Sequence, residues 1–347
     1  MAQTGKKRID WIDTAKGICI LLVVLQHVSN RMDADYPFKQ DFLTFRMPLY
    51  FILSGLFFKT YEGFWGFTKR KTNKLLIPYI FFFSFGGVII PVLLYQAFGI
   101  SLSSYDGYGF EAFKYIFSEH WICNPSIWFL VCLFEVNILF YLIIKTSHAI
   151  SAHEKTADIL VVGLSLLMGI VGVLSYLLRI RLPYFIDSAF SALPFFAFGW
   201  LLRNKTNFLY IERSWSVAFK SIIFICLSVA LIHFFNHGKL SILSNSYGGV
   251  SGVLQLYPYG IIGTLCVLSF SRITGKIPFI SFVGRYSIIV LCTHYFAMEL
   301  SNYLLSQTAI YNMPVMFLLT TLICALAIPV FKKYLGYFTA QKDLIKI

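Results

Sequence analysis

An imidazole inside an oily helix is a chemical anomaly, and the first apolar stretch of this chain carries one. In "RIDWIDTAKGICILLVVLQHVSN" (residues 8–30) Lys16 opens a hydrophobic run and His27 lies near its far end. Eleven residues at 100° each come to within about 20° of three whole turns, so the two side chains share a helix face, about 16 Å apart along the axis. A cation therefore stands at the rim of the membrane, with an imidazole near the middle of a core about 30 Å thick. A neutral imidazole there can act as a general base toward a hydroxyl or as a transient acyl carrier. It can also be a core histidine satisfied by a neighbouring helix. Asp13, three residues before Lys16, is spaced to pair with it.

Other ionisable groups sit in equally apolar surroundings, where charge is costly and marks functional sites. In "GRYSIIVLCTH" (284–294) Ser287 and His294 are seven residues apart and share a face, with Arg285 at the entrance. "PSIWFLVCLFEVN" holds Glu135 and Asn137. A carboxylate there needs a partner, and an inward-facing histidine or lysine fits. Asp187 and Glu299 complete this set. A basic cluster, Lys69, Arg70, Lys71 and Lys74, precedes another apolar run; Lys71 and Lys74 are spaced to share a face. Such a cluster suits a polyanion such as a nucleotide's phosphates, and equally suits plain topological decoration.

The elements that position these groups follow from composition. Hydrophobic side chains make up 58% of the 347 residues and charged ones only 13%, with a mean hydropathy of +0.72. That is too apolar for one soluble core. Apolar stretches predict an all-α polytopic membrane protein of about ten transmembrane helices, at 12–30, 43–59, 75–97, 126–146, 157–178, 183–202, 216–235, 250–271, 279–304 and 313–331. The first is no cleavable signal peptide, since no small-residue cleavage site follows it. No soluble domain and no internal repeat is legible. Most of the basic residues fall on the side of the N-terminus, so the +13 charge is first a topology signal that places both termini in the cytoplasm. They are spread over short loops, which argues against nucleic-acid binding. The seven cysteines lack CxxC spacing and mostly fall within spans, as small buried hydrophobes; no metal is expected. An outer loop at 101–126, with Tyr105, Asp106, Tyr108, Glu119, His120 and Trp121, suits a sugar-like acceptor or an interfacial helix.

Five stretches, in order, resemble the membrane-bound acyltransferase-3 family, and most of all its fucose 4-O-acetylase-like and polysaccharide O-acetyltransferase branch. They are "IDWIDTAKGICILLVVLQH" (9–27), "MPLYFILSGLFFK" (47–59), "KRKTNKLLIPY" (69–79), "IWFLVCLF" (127–134) with "LPFFAFG" (193–199), and "GRYSIIVLCTH" (284–294). The family's motif of a basic residue and a histidine ten positions beyond it matches Lys16 and His27. Its basic pair at the start of the third span, usually two arginines three apart, is matched by Lys71 and Lys74, while Arg70 has Asn73 three residues on. The resemblance implies an acyl-CoA donor, most simply acetyl-CoA, bound from the cytoplasm through Lys16, Arg70, Lys71 and Lys74. It implies a glycan or lipid-linked sugar as acceptor, reached from the other side of the plasma (inner) membrane. On this reading His27, Glu135 and His294 are the catalytic candidates, with Asp13, Ser287 and Arg285 in support. Succinyl transfer, a non-catalytic acyl-CoA sensor, and a transporter or flippase with polar groups along a pathway are the alternatives. Oligomeric state, monomer or homo-oligomer, stays open.

Overall fold

A chain this apolar can enter a bilayer only if every backbone N–H and C=O is bonded within it, which leaves helices as the simple solution. The computed structural model describes residues 9–60, 63–99, 111, 124–180, 182–206, 209, 214–235, 242 and 250–346, and among them it is helical, with no strand. The helices are α1 (Asp10–Met32), α2 (Lys39–Leu56), α3 (Gly63–Ala97), α4 (Trp128–Ile150), α5 (Glu154–Leu177), α6 (Ile186–Lys205), α7 (Trp215–Phe235), α8 (Val250–Thr274), α9 (Pro278–Arg285), α10 (Ser287–Leu305) and α11 (Met313–Tyr334). Among the described residues, nine helical segments are long and apolar enough to cross a membrane. The chain is a polytopic all-α membrane protein. Most of the 101–126 loop, including its acceptor candidates from Tyr105 to Trp121, lies outside the described residues.

Three elements differ from the expected spans, each for a physical reason. The second, expected at 43–59, begins earlier, at Lys39, and so adds Lys39 and Asp41 to Arg46. Those charges keep α2 out of the apolar set. Its 18 residues still rise about 27 Å, and it packs between α6 and α8. The third span extends back to Gly63, so the basic cluster belongs to the helix itself rather than to a loop before it. Within it, Thr72–Leu76 and Phe82–Ile89 are π-helical. A π segment bonds i to i+5 and rotates everything beyond it relative to an α-helix.

The span expected at 279–304 is two helices, parted at Tyr286, whose φ of −112° and ψ of 29° are non-helical. The cause is a close crossing of α9 over α1. A Cβ on Gly17 would collide with the Ile280 carbonyl oxygen, and one on Gly284 with the Asp13 carbonyl oxygen and the Gly17 nitrogen. Small residues let membrane helices meet backbone to backbone. Having made that contact, the chain turns at Tyr286 and sets off as α10 toward the middle of α1.

One end of the bundle gathers the start of α1, the α8–α9 turn, the basic part of α3 and the C-terminal tail. Thr14 Oγ1 donates to the Gly275 carbonyl at 2.7 Å and lies 2.7 Å from Ser281 Oγ. The Asn73 side chain donates to the Ile345 carbonyl at 2.8 Å and accepts from the Leu344 and Ile345 amides. Phe81 stacks on Phe338, with ring centroids 4.3 Å apart. At the margin, α7 turns Phe219, Ile222 and Leu227 outward, as a lipid-facing helix does.

Candidate functional site

α1 and α10 bring His27 and His294 together. The ring of His27 lies 5.2 Å from that of His294 and 4.8 Å from that of Tyr295. The Tyr295 hydroxyl stands 2.8 Å from His27 Nδ1. His294 is fully buried; its Nδ1 donates to the Val290 carbonyl at 3.0 Å, and its Nε2 lies 3.4 Å from Ser126 Oγ. Ser126 sits in the turn that enters α4 and donates to Asn124 Oδ1 at 2.7 Å, while Asn124 Nδ2 donates to the Cys292 carbonyl at 2.9 Å. This chain of bonds fixes the mouth of α4 against α10, and His294 behind His27.

His27 lines a cavity of about 100 Å³. Its walls are mostly apolar, with Val23, Met47, Trp128, Phe129 and Leu291, and its polar members include Arg46, Tyr50 and Ser126. Tyr50 ties the cavity to the basic end: its hydroxyl donates to the Lys16 carbonyl at 3.3 Å and lies within hydrogen-bonding reach of Ser287. At the Lys16 end of α1, α2 and α10 therefore meet through Tyr50 and Ser287.

The remaining candidates are scattered. The Lys16 ammonium lies over the Phe57 ring at 5.8 Å, away from the cavity wall. Asp13 is buried at the α1–α9 crossing. Arg285 is exposed, its guanidinium 5.6 Å from the Tyr286 ring. Arg70 is half-buried on α3. Lys71 and Lys74 do not share a partner: Lys71 Nζ lies over Phe67 and Phe58, at 5.2 and 6.0 Å, whereas Lys74 Nζ bonds Asp343 Oδ1 and the Ala340 carbonyl, both at 2.9 Å. The π segment between them undoes the α-helical spacing. Glu135 is not brought to either histidine; its electrostatic neighbours are Asp187 and Cys132, and its Oε2 is buried without a hydrogen-bond partner. Glu299 pairs with Arg31 through two bonds, at 2.9 and 3.1 Å.

Two residues at the centre of the site, Tyr295 and Arg46, were not singled out from sequence. Tyr295 is next to His294. Arg46 stands one position before "MPLYFILSGLFFK" and four before Tyr50, so the two share one face of α2.

The match to known proteins agrees with this geometry. A family model described as an acyltransferase domain, of the acyltransferase-3 family, covers residues 9–332. The chain belongs to that family. No curated protein and no solved structure matches it. As an acyltransferase-3 member it is a multi-pass membrane acyltransferase, and the matched region contains α1 through most of α11 with the whole cavity. The tail that holds Asn73 and Lys74 falls beyond it.

Proposed function

We propose that this acyltransferase moves an acyl group, acetyl in the first instance, from cytoplasmic acyl-CoA to a hydroxyl of a cell-surface glycan or lipid-linked sugar. One observation carries the reading: His27 lines a cavity and has the Tyr295 hydroxyl 2.8 Å from its Nδ1. Lys16, Arg70 and Lys71 take the donor's phosphates at the basic end, and Lys74 joins them by exchanging Asp343 for a phosphate. The pantetheine arm runs past Tyr50, along the roughly 16 Å between Lys16 and His27. The fucose 4-O-acetylase-like branch and the plasma (inner) membrane are part of the same proposal.

The chemistry needs one tautomer. A neutral imidazole donates from one nitrogen and accepts at the other. With the proton on Nδ1 and donated to the Tyr295 oxygen, the Nε2 lone pair is free to take a proton. As the acceptor oxygen bonds to the thioester carbonyl carbon, Nε2 receives the hydroxyl proton. The tetrahedral intermediate then collapses with cleavage of the C–S bond. The same proton passes to the departing sulfur and CoA leaves as the thiol. His294, buried behind His27, acts as a positioning residue.

The test is mass spectrometry of surface glycans from cells with and without the gene, alongside membranes given radiolabelled acetyl-CoA or succinyl-CoA. Gene-dependent O-acetyl groups and acetyl transfer are the expected result. Gene-dependent succinyl groups would replace acetyl, and no gene-dependent ester of any kind would overturn the reading.

A further inference from the structure

The cavity beside His27 contains a permanent positive charge for which its described residues offer no anion. Arg46 is the only always-charged side chain among the described residues of its wall. Its Nε and Nη1 are buried without a hydrogen-bond partner. The electrostatic neighbours that bear on the guanidinium are the hydroxyls of Tyr36 and Tyr295 and the thiol of Cys19, with no carboxylate among them. Its backbone is fixed to α1 by the Cys19 thiol, which donates to the Arg46 carbonyl at 2.8 Å. Burying a guanidinium with idle donors is expensive, so the position makes sense when an anion comes to it.

The competing donors of the cavity are committed. Tyr50 donates to the Lys16 carbonyl, Thr44 Oγ1 to the Gln40 carbonyl, and Ser126 to Asn124 Oδ1. Lys16 stands about 16 Å away along α1. On the acyl-transfer reading, the phosphates stay at that far end, and both reacting groups, a thioester carbonyl and a hydroxyl, are neutral. Negative charge arises at the reacting centre only in the tetrahedral intermediate. When the acceptor oxygen bonds to the carbonyl carbon and His27 takes its proton, the carbonyl π pair moves onto oxygen. When that pair returns, the C–S bond breaks and the proton goes to sulfur.

We propose that Arg46 is a catalytic residue whose Nε–Nη1 edge receives this oxyanion. The inference rests on the acyl-transfer reading of the site. Preorganised donors aimed at charge that exists only in the transition state raise kcat rather than binding.

The experiment compares wild type, Arg46→Gln and Arg46→Lys in membranes that retain the cell's own envelope glycans. It follows release of CoA thiol from acetyl-CoA and from succinyl-CoA, with CoA-induced thermal stabilisation measured in parallel. Arg46→Gln is expected to lose about 100- to 1,000-fold in kcat, with KM for the donor and the CoA-induced shift unchanged. Arg46→Lys keeps the charge but not the fork, and is expected to lose about tenfold, again in kcat; it decides the matter if the glutamine variant fails to insert. A kcat within threefold of wild type in the variants that insert overturns the proposal. So does a loss confined to KM, which would make Arg46 a receptor for a carboxylate or phosphate carried by a substrate. A wild type that releases no CoA from either donor fails the acyl-transfer reading itself, whereas an active wild type with indifferent Arg46 variants fails this inference alone.

Discussion

The Tyr295 hydroxyl lies 2.8 Å from Nδ1 of His27, on the side of the imidazole that a general base does not use. On the proposed mechanism Nδ1 donates to the tyrosine oxygen, which leaves Nε2 as the basic nitrogen. Tyr295→Phe removes it with little change in volume. The loss of one hydrogen bond, about 1 to 1.5 kcal/mol, predicts a drop of about tenfold in kcat with KM for the donor unchanged. Initial-rate kinetics on membranes check it, and a purely structural tyrosine would leave kcat per inserted molecule unaltered.

The α1–α9 crossing sets where α10 begins, and with it the position of Tyr295 and His294. Gly17→Ala puts a methyl group into the Ile280 carbonyl. Overpacking of this kind costs about 1 to 3 kcal/mol or more. The expected outcome is a lower melting temperature in detergent and a reduced folded fraction on size-exclusion chromatography. Unchanged melting would mean that the two helices can part without cost.

The C-terminal tail is fastened by the buried Asn73 side chain through three hydrogen bonds to Leu344 and Ile345. Asn73→Ala removes all three, and leaves the backbone groups to water. Carboxypeptidase should then shorten the tail of the variant faster than that of wild type. Equal digestion would show that Lys74–Asp343 and the Phe81–Phe338 stack suffice to hold it.

Glu299 looks functional in the sequence, as a carboxylate on an apolar helix. In the fold it faces Arg31, with both side chains partly exposed at 23 and 36%. An exposed pair of this kind contributes about 1 kcal/mol or less. Glu299→Gln is expected to shift the melting temperature slightly and leave acyl transfer within twofold of wild type. A large loss of turnover would place Glu299 in the reaction path.

How much of this was legible in advance depends on which residue is asked about. The shared face of Lys16 and His27 is helical arithmetic, and the fold keeps α1 unbroken through both. His294 was visible as a polar group at depth, but the residue that bonds His27 is its neighbour, Tyr295. One position along a helix is a 100° turn, and only packing decides which side faces α1. Arg46 has no mark of its own in the sequence, because the early start of α2 at Lys39 has no apolar signature. Lys71 and Lys74 meet different partners in the fold, and the π-helical backbone of Thr72–Leu76 leaves no trace in residue spacing. Glu135 stands out in the sequence as a carboxylate among apolar residues and is half-buried in the fold; Cys132 lies three residues before it on α4, whereas Asp187 comes to it from α6 by helix packing that hydropathy does not encode.

The central claim is that His27 is the base of an acyl transfer. The direct measurement is the initial rate of acyl transfer from radiolabelled acetyl-CoA in membranes containing His27→Asn, normalised to correctly inserted protein. General-base catalysis predicts a loss of about 100- to 10,000-fold, with CoA-induced thermal stabilisation retained. Near-normal turnover in a properly inserted His27→Asn would contradict it.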